Sequence, residues 1–113
     1  MFDWNKFIDT AKTLNSIGDE SSCRSAVSRA YYAAYYSVCG KIGYPPPGVS
    51  SKHQETLRET MKKDLTTASK LTALLEKRKD ADYESSKSGE FNPSNAKLAI
   101  QEAESIISSV PFL

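Results

Sequence analysis

Hydrophobic residues recur every three or four positions along most of the chain, the repeat of an amphipathic helix. The first such stretch runs from about Asp3 to Ile17, with Trp4, Phe7, Ile8, Ala11, Leu14 and Ile17 on one side. Gly18 follows where helices often end in a left-handed residue, and Asp19 or Ser21 is placed to cap the next one. That second stretch carries the strongest pattern. Cys23, Ala26, Val27, Ala30, Tyr31, Ala34, Tyr35, Val38, Cys39 and Ile42 hold one face without a break, while Arg29, Tyr32 and Tyr36 repeat on an adjoining face. Gly40 and Gly43 weaken the end, Pro45-Pro46-Pro47-Gly48 stops it, and the loop through Ser50 links two hairpins.

Ser51-Lys52-His53-Gln54 fits a capping box ahead of a short helix, with His53, Leu57 and Met61 on one stripe. Thr66 or Thr67 begins a further helix reaching about Glu84, with Ala68, Leu71, Leu74, Leu75, Arg78, Ala81 and Asp82 inward. That stripe starts apolar and becomes charged, which a helix with only a structural role rarely does. Ser85 to Glu90 reads as a polar loop. Asn92-Pro93 supplies an N-cap and a proline at the first helical position. Ala96, Ala99, Ile100, Ala103, Ile106, Ile107 and Val110 then line the last helix, ended by Pro111. No segment alternates with period two. The expectation is an all-α, antiparallel up-and-down bundle of about five helices, four long and one short, forming one domain over residues 1–113.

Composition narrows the function classes. At 113 residues the chain buries roughly two thirds of its unfolded surface, enough for one core without metal or disulfide staples. Hydrophobic residues at 39% and charged residues at 26% argue against disorder. A net charge of +1 excludes a broad basic field for nonspecific duplex binding, though not a local basic patch. No apolar run approaches a membrane span, and the start lacks the basic and apolar regions of a signal peptide, so a cytoplasmic protein without membrane contact is expected. Cys23 and Cys39 lie sixteen positions apart on one helix, about 24 Å by the helical rise, too far for a disulfide. They read as reduced core thiols. With His53 the only histidine, no Cys/His spacing suits zinc and no glycine-rich loop suits a phosphate; no metal or cofactor is expected.

Three features carry candidate chemistry. Arg29 with Tyr32 and Tyr36 reads either as core or dimer interface, or as a stacking and phosphate-contacting surface. Apolar and aromatic residues on more than one face of one helix point to a homodimer. Arg78 and Asp82, four apart, meet on one helical face beside Tyr83: a surface ion pair, or a guanidinium held in a groove for a phosphate. His53 reads as a packed structural residue or as an acid or base.

Arg29-Ala30-Tyr31-Tyr32-Ala33-Ala34-Tyr35, then Ser51-Lys52-His53, then Arg78-Lys79-Asp80-Ala81-Asp82-Tyr83 and an alanine-rich last helix resemble the HEPN domain. The likeness is to its small stand-alone prokaryotic branch and covers nearly the whole chain. It implies a helical bundle, usually dimeric, with roles in toxin–antitoxin pairs or phage defence, often beside a nucleotidyltransferase-type antitoxin or another defence protein. Many members are metal-independent ribonucleases that carry an Arg followed four to six residues later by a His. Here Arg78 supplies the Arg, Tyr83 stands five residues on, and no His follows His53. The expected function is a dimeric RNA-, nucleotide- or partner-binding module acting through Arg29, Tyr32, Tyr36, Arg78, Asp82 and Tyr83. Two alternatives stay open: an endoribonuclease toxin using Arg78 with Tyr83 or His53, and a purely structural interaction domain.

Overall fold

Asp19 starts the helix around which the others are arranged: its carboxylate accepts the Ser22 amide at 2.7 Å, satisfying one of the amides that a helix start leaves free. The computed structural model describes residues 2–48 and 51–113, so the end of the linker expected through Ser50 lies outside the described residues. Among the described residues, five α-helices make up an all-α bundle: α1 (Lys6–Ile17), α2 (Glu20–Ile42), α3 (Lys52–Lys63), α4 (Leu65–Tyr83) and α5 (Pro93–Ser109). Gly18 takes the left-handed conformation between α1 and α2, at φ 88°.

α2 packs against all four other helices. Its side chains explain why it can. Ala26, Ala30, Ala33 and Ala34 are fully buried and bring neighbouring backbones close, while Tyr31 and Tyr35 fill the wider gaps. From α4, Leu71, Leu74 and Leu75 close the core, each worth about 1.5–3 kcal/mol relative to exposure. Cys23 and Cys39 are buried, reduced thiols.

Side-chain pairs set the directions. Trp4 stacks on Tyr36 while Asn15 meets Cys23, so α1 runs against α2. Arg24 reaches the Asp80 and Ala81 carbonyls while Arg78 lies beside Tyr31, so α4 does too. α3 is different. His53 pairs with Tyr31 and Thr56 with Cys39, which places α3 alongside α2 in the same sense. The proline-rich segment makes the return pass, with Tyr44, Pro45 and Pro47 lying near Tyr32 and Tyr36.

Local details depart from the expected pattern. α1 begins at Lys6, after a turn in which Asp3 Oδ1 accepts the Asn5 amide, and it is no longer than α3, at 12 residues each. Ser51 precedes α3 but makes no side-chain cap bond. The buried side of α3 is Thr56, Leu57 and Thr60, not Met61, which is 55% exposed. Burial of Thr60 is tolerated because its hydroxyl donates to the Thr56 carbonyl at 2.7 Å. α4 is capped by Asp64 rather than Thr66 or Thr67: its carboxylate takes the Thr66 amide and the Thr67 hydroxyl. Asp82 lies outside the buried stripe of α4, which ends at Ala81. Ser85–Glu90 forms short 3₁₀ turns, Asn92 caps α5 through the Asn95 amide at 2.9 Å, and a 3₁₀ turn carries the chain past Pro111. Among the described residues no helix is long and apolar enough to cross a membrane.

Candidate functional site

The register that buries Leu71, Leu74 and Leu75 also turns position 78 inward, so Arg78 enters the bundle at only 7% exposure. Three tyrosines receive it. Its guanidinium carbon lies 5.6 Å from the Tyr31 ring centre, 5.5 Å from Tyr32 and 5.9 Å from Tyr83. The negative ring faces offset part of the desolvation of a charge that arginine cannot shed. Nη1 donates to Asp82 Oδ2 at 3.4 Å, a long contact, and Nε is buried with no partner among the described residues.

Tyr31 joins this arginine to the histidine. Its ring is fully buried and its hydroxyl meets His53 Nδ1 at 2.6 Å. Burial pushes the phenol far above its ordinary range, and burial followed by the charges of Arg78 and Lys79 pushes His53 down. Nδ1 of a neutral imidazole can donate or accept, but the buried Tyr31 hydroxyl has no other hydrogen-bond partner among the described residues, so its proton is assigned to this bond: Tyr31 donates, Nδ1 accepts, and the ring proton sits on Nε2. Tyr35, 4.6 Å from the imidazole centre to centre, is likewise raised by burial, to about 12.

Tyr32 stands between this buried cluster and solvent. It is a shared wall of two surface grooves. One, about 370 Å³, is lined by Tyr32, Tyr35, Tyr36, Tyr44, Lys52 and His53 with the prolines of the loop. The other, about 490 Å³, is lined by Ser25, Ser28, Arg29, Tyr32 and Asp82 of α2 and α4, closed by Thr10 and Leu14 of α1. Both volumes are in the range of small-ligand sites. Ser25, Ser28, Arg29 and Tyr32 fall at the three- and four-residue intervals that set side chains on one helical face. A deeper cavity of about 240 Å³ lies elsewhere, between α4 and α5 around Phe91 and Leu98, and contains none of these residues.

The structure therefore gathers the residues singled out in the sequence, in two layers. Arg29, Tyr32, Tyr36, Asp82 and His53 line the grooves. Arg78 lies behind Tyr32 and lines neither. Tyr83 is 74% exposed at the end of α4. The face of α2 for which the sequence called for a second chain is partly covered within this one: Trp4 stacks on Tyr36 at 4.0 Å and Phe7 lies under Arg29 at 4.8 Å.

Sequence reasoning passed over Lys52, Tyr44 and Ser28 as groove residues, and Tyr31 as more than core. Ser28 was within reach, since it lies four residues before Tyr32. Arg24 was also missed. It donates to the carbonyls of Asp80, Ala81 and Glu84, capping α4, with its guanidinium 4.3 Å over Phe91. Among the described residues, no three His, Cys, Asp or Glu side chains converge as a metal site would require. Comparison with protein-family models, curated proteins and solved structures returns no match.

Proposed function

We propose that this chain is a HEPN-type module of a prokaryotic toxin–antitoxin or defence system that binds a nucleotide or single-stranded RNA beside Tyr32. The observation that carries the reading is the placement of Tyr32 as the wall common to two grooves, with Lys52 on one side and Arg29 on the other. Aromatic faces flanked by cations suit single-stranded nucleic acid: each base offers a stacking face, and each phosphate a charge. The HEPN-type assignment draws support from the meeting of the Arg29–Tyr35 and Arg78–Tyr83 segments, which face each other across α2 and α4. A homodimer and a nucleotidyltransferase-type partner belong to the same proposal.

The test is fluorescence anisotropy with a labelled hexauridylate. Binding that weakens with salt, and that falls tenfold or more in Tyr32→Ala, is the expected result, since base–aromatic stacking is worth about 1–3 kcal/mol. No binding to hexauridylate, or binding indifferent to Tyr32, overturns the reading.

One observation favours a second reading. His53 and Arg78 lie on either side of Tyr31, so the bundle brings together the two groups that an endoribonuclease would use. The hydrogen bond that fills Nδ1 counts against it, because the imidazole then has no nitrogen free to accept a proton.

A further inference from the structure

Asp82 lines the 490 Å³ groove together with Tyr32, Arg29, Ser25 and Ser28. A carboxylate only accepts hydrogen bonds. Ser28 Oγ and Arg78 Nη1 both donate to the same oxygen, Oδ2, and both at 3.4 Å. Charge-assisted bonds normally close to 2.7–2.9 Å, so the acceptor capacity of this group is largely unspent.

We infer that Asp82 reads the sugar of a nucleic acid bound in this groove, accepting a hydrogen bond from a ribose 2′-hydroxyl and so selecting ribonucleotides over deoxyribonucleotides. The inference rests on the nucleic-acid reading above and deepens it. Along a polynucleotide backbone the phosphate and ring oxygens only accept, and the 2′-hydroxyl is the donor that distinguishes RNA from DNA. A carboxylate repels a phosphate, so the sugar, not the phosphate, is the backbone part that fits beside Asp82. Arg29, on the same groove, is then the group for the neighbouring phosphate. Tyr32 holds the base, and Asp82, lining the same groove, takes the sugar attached to it.

Three hexamers separate the terms: rU6, dU6 and 2′-O-methyl-U6. All three carry the same uracil donors. The methylated strand keeps a ribose-like sugar without the hydroxyl proton, which separates hydrogen-bond donation from sugar shape. The wild-type chain is expected to bind rU6 about tenfold or more tighter than either other strand, the ratio for a hydrogen bond to a charged group. Asp82→Ala is expected to bring rU6 to the affinity of dU6. Asp82→Asn keeps the shape and one acceptor oxygen without the charge, and is expected to reduce the ratio. It decides the matter if Asp82→Ala fails to fold, as judged by its helical circular dichroism. Equal binding of the three strands by the wild-type chain overturns the sugar-reading role and leaves the nucleic-acid reading standing. A ratio undiminished in Asp82→Asn, or one that survives in a folded Asp82→Ala, does the same. Failure to bind any of the three overturns both.

Discussion

Tyr31 donates its phenolic proton to Nδ1 of His53 across 2.6 Å, from a position with no solvent exposure. The bond settles the state of both groups. If His53 were protonated, Nδ1 would itself become a donor, and the two protons would face each other. The buried hydroxyl would lose its acceptor, and the new charge would be desolvated beside Arg78 and Lys79.

The first prediction concerns acidity. The titration of His53 is depressed in the folded chain by burial and by the charges of Arg78 and Lys79. Between that value and the unfolded one near 6.5, the unfolded chain binds the extra proton, so stability rises with pH. The stabilisation is complete above about pH 6.5 and is lost as pH falls through the folded titration point. Melting temperature should decline on acidification from pH 7.5 toward 5. His53→Gln should flatten that window, since no other histidine exists. Tyr31→Phe removes the donor that favours the neutral ring, so the His53 midpoint read by NMR should rise. A melting temperature that is flat over this window in the wild-type chain would contradict the bond as described.

Arg24 gives a prediction about the end of α4. Its guanidinium donates to three carbonyls at the end of α4, those of Asp80, Ala81 and Glu84, of which Asp80 also takes the Glu84 amide and Glu84 the Lys87 amide. It also pairs with Glu20 at 3.0 Å, across a largely exposed carboxylate. Arg24→Met should cost about 1–3 kcal/mol by loss of charged hydrogen bonds to carbonyls. Glu20→Gln should cost under about 1 kcal/mol, because exposed ion pairs contribute little. Urea denaturation of the two variants measures the contrast; comparable losses would shift the weight from the cap to the ion pair.

Two substitutions on α2 should act in opposite directions. Ala33 is fully buried, so Ala33→Leu forces extra atoms into a packed interface and should destabilise by about 1–3 kcal/mol. Gly40 is exposed on the same helix, and a Cβ there meets nothing within 4 Å. Gly40→Ala should stabilise by roughly 0.5–1 kcal/mol by lowering the entropy of the unfolded chain. Thermal melts of both variants check the signs.

The legibility of this fold in the sequence followed the strength of each periodic signal. α2 and α5 carry unbroken stripes with clear stops, and their faces match the buried residues closely. α3 is mostly polar, so two threonines could displace Met61 from the inward side, Thr60 by bonding to the Thr56 carbonyl and Thr56 by meeting Cys39 of α2, which a hydrophobic repeat does not register. The return pass of the proline segment left no periodic trace, and with it the groove roles of Tyr44 and Lys52. At the site, Arg78 stood out because it interrupted an apolar stripe. Its enclosure by Tyr31, Tyr32 and Tyr83 depends on the facing of α2 and α4, which only tertiary packing fixes. The partnership of Tyr31 with His53 bridges two helices across an uncharacteristic parallel step, and no local spacing announces it.

The last prediction is that the purified chain is a poor ribonuclease. In-line attack by a 2′-hydroxyl requires a proton to leave the nucleophile and another to reach the departing oxygen. Arg78 can stabilise the phosphorane charge but exchanges no proton, and it lies behind Tyr32 at 7% exposure. Tyr83 stands in solvent beside the same guanidinium, which can steady a phosphate but cannot act as its base. His53 is the group suited to acid–base work, yet Tyr31 occupies Nδ1 and leaves the other nitrogen carrying its hydrogen. General acid–base catalysis typically contributes about 10²–10⁴-fold, so turnover without it should be weak or absent. Mixed single-stranded and transfer RNA incubated with the protein and EDTA should remain intact. Robust cleavage lost in both Arg78→Ala and His53→Ala would establish the endoribonuclease reading instead. Cleavage lost in Arg78→Ala and Tyr83→Phe but kept in His53→Ala would move the chemistry to the tyrosine. Tyr31→Phe is the decisive companion. It frees Nδ1 and raises the basicity of His53, so cleavage that appears only in this variant would identify the Tyr31 hydrogen bond as what holds the histidine back.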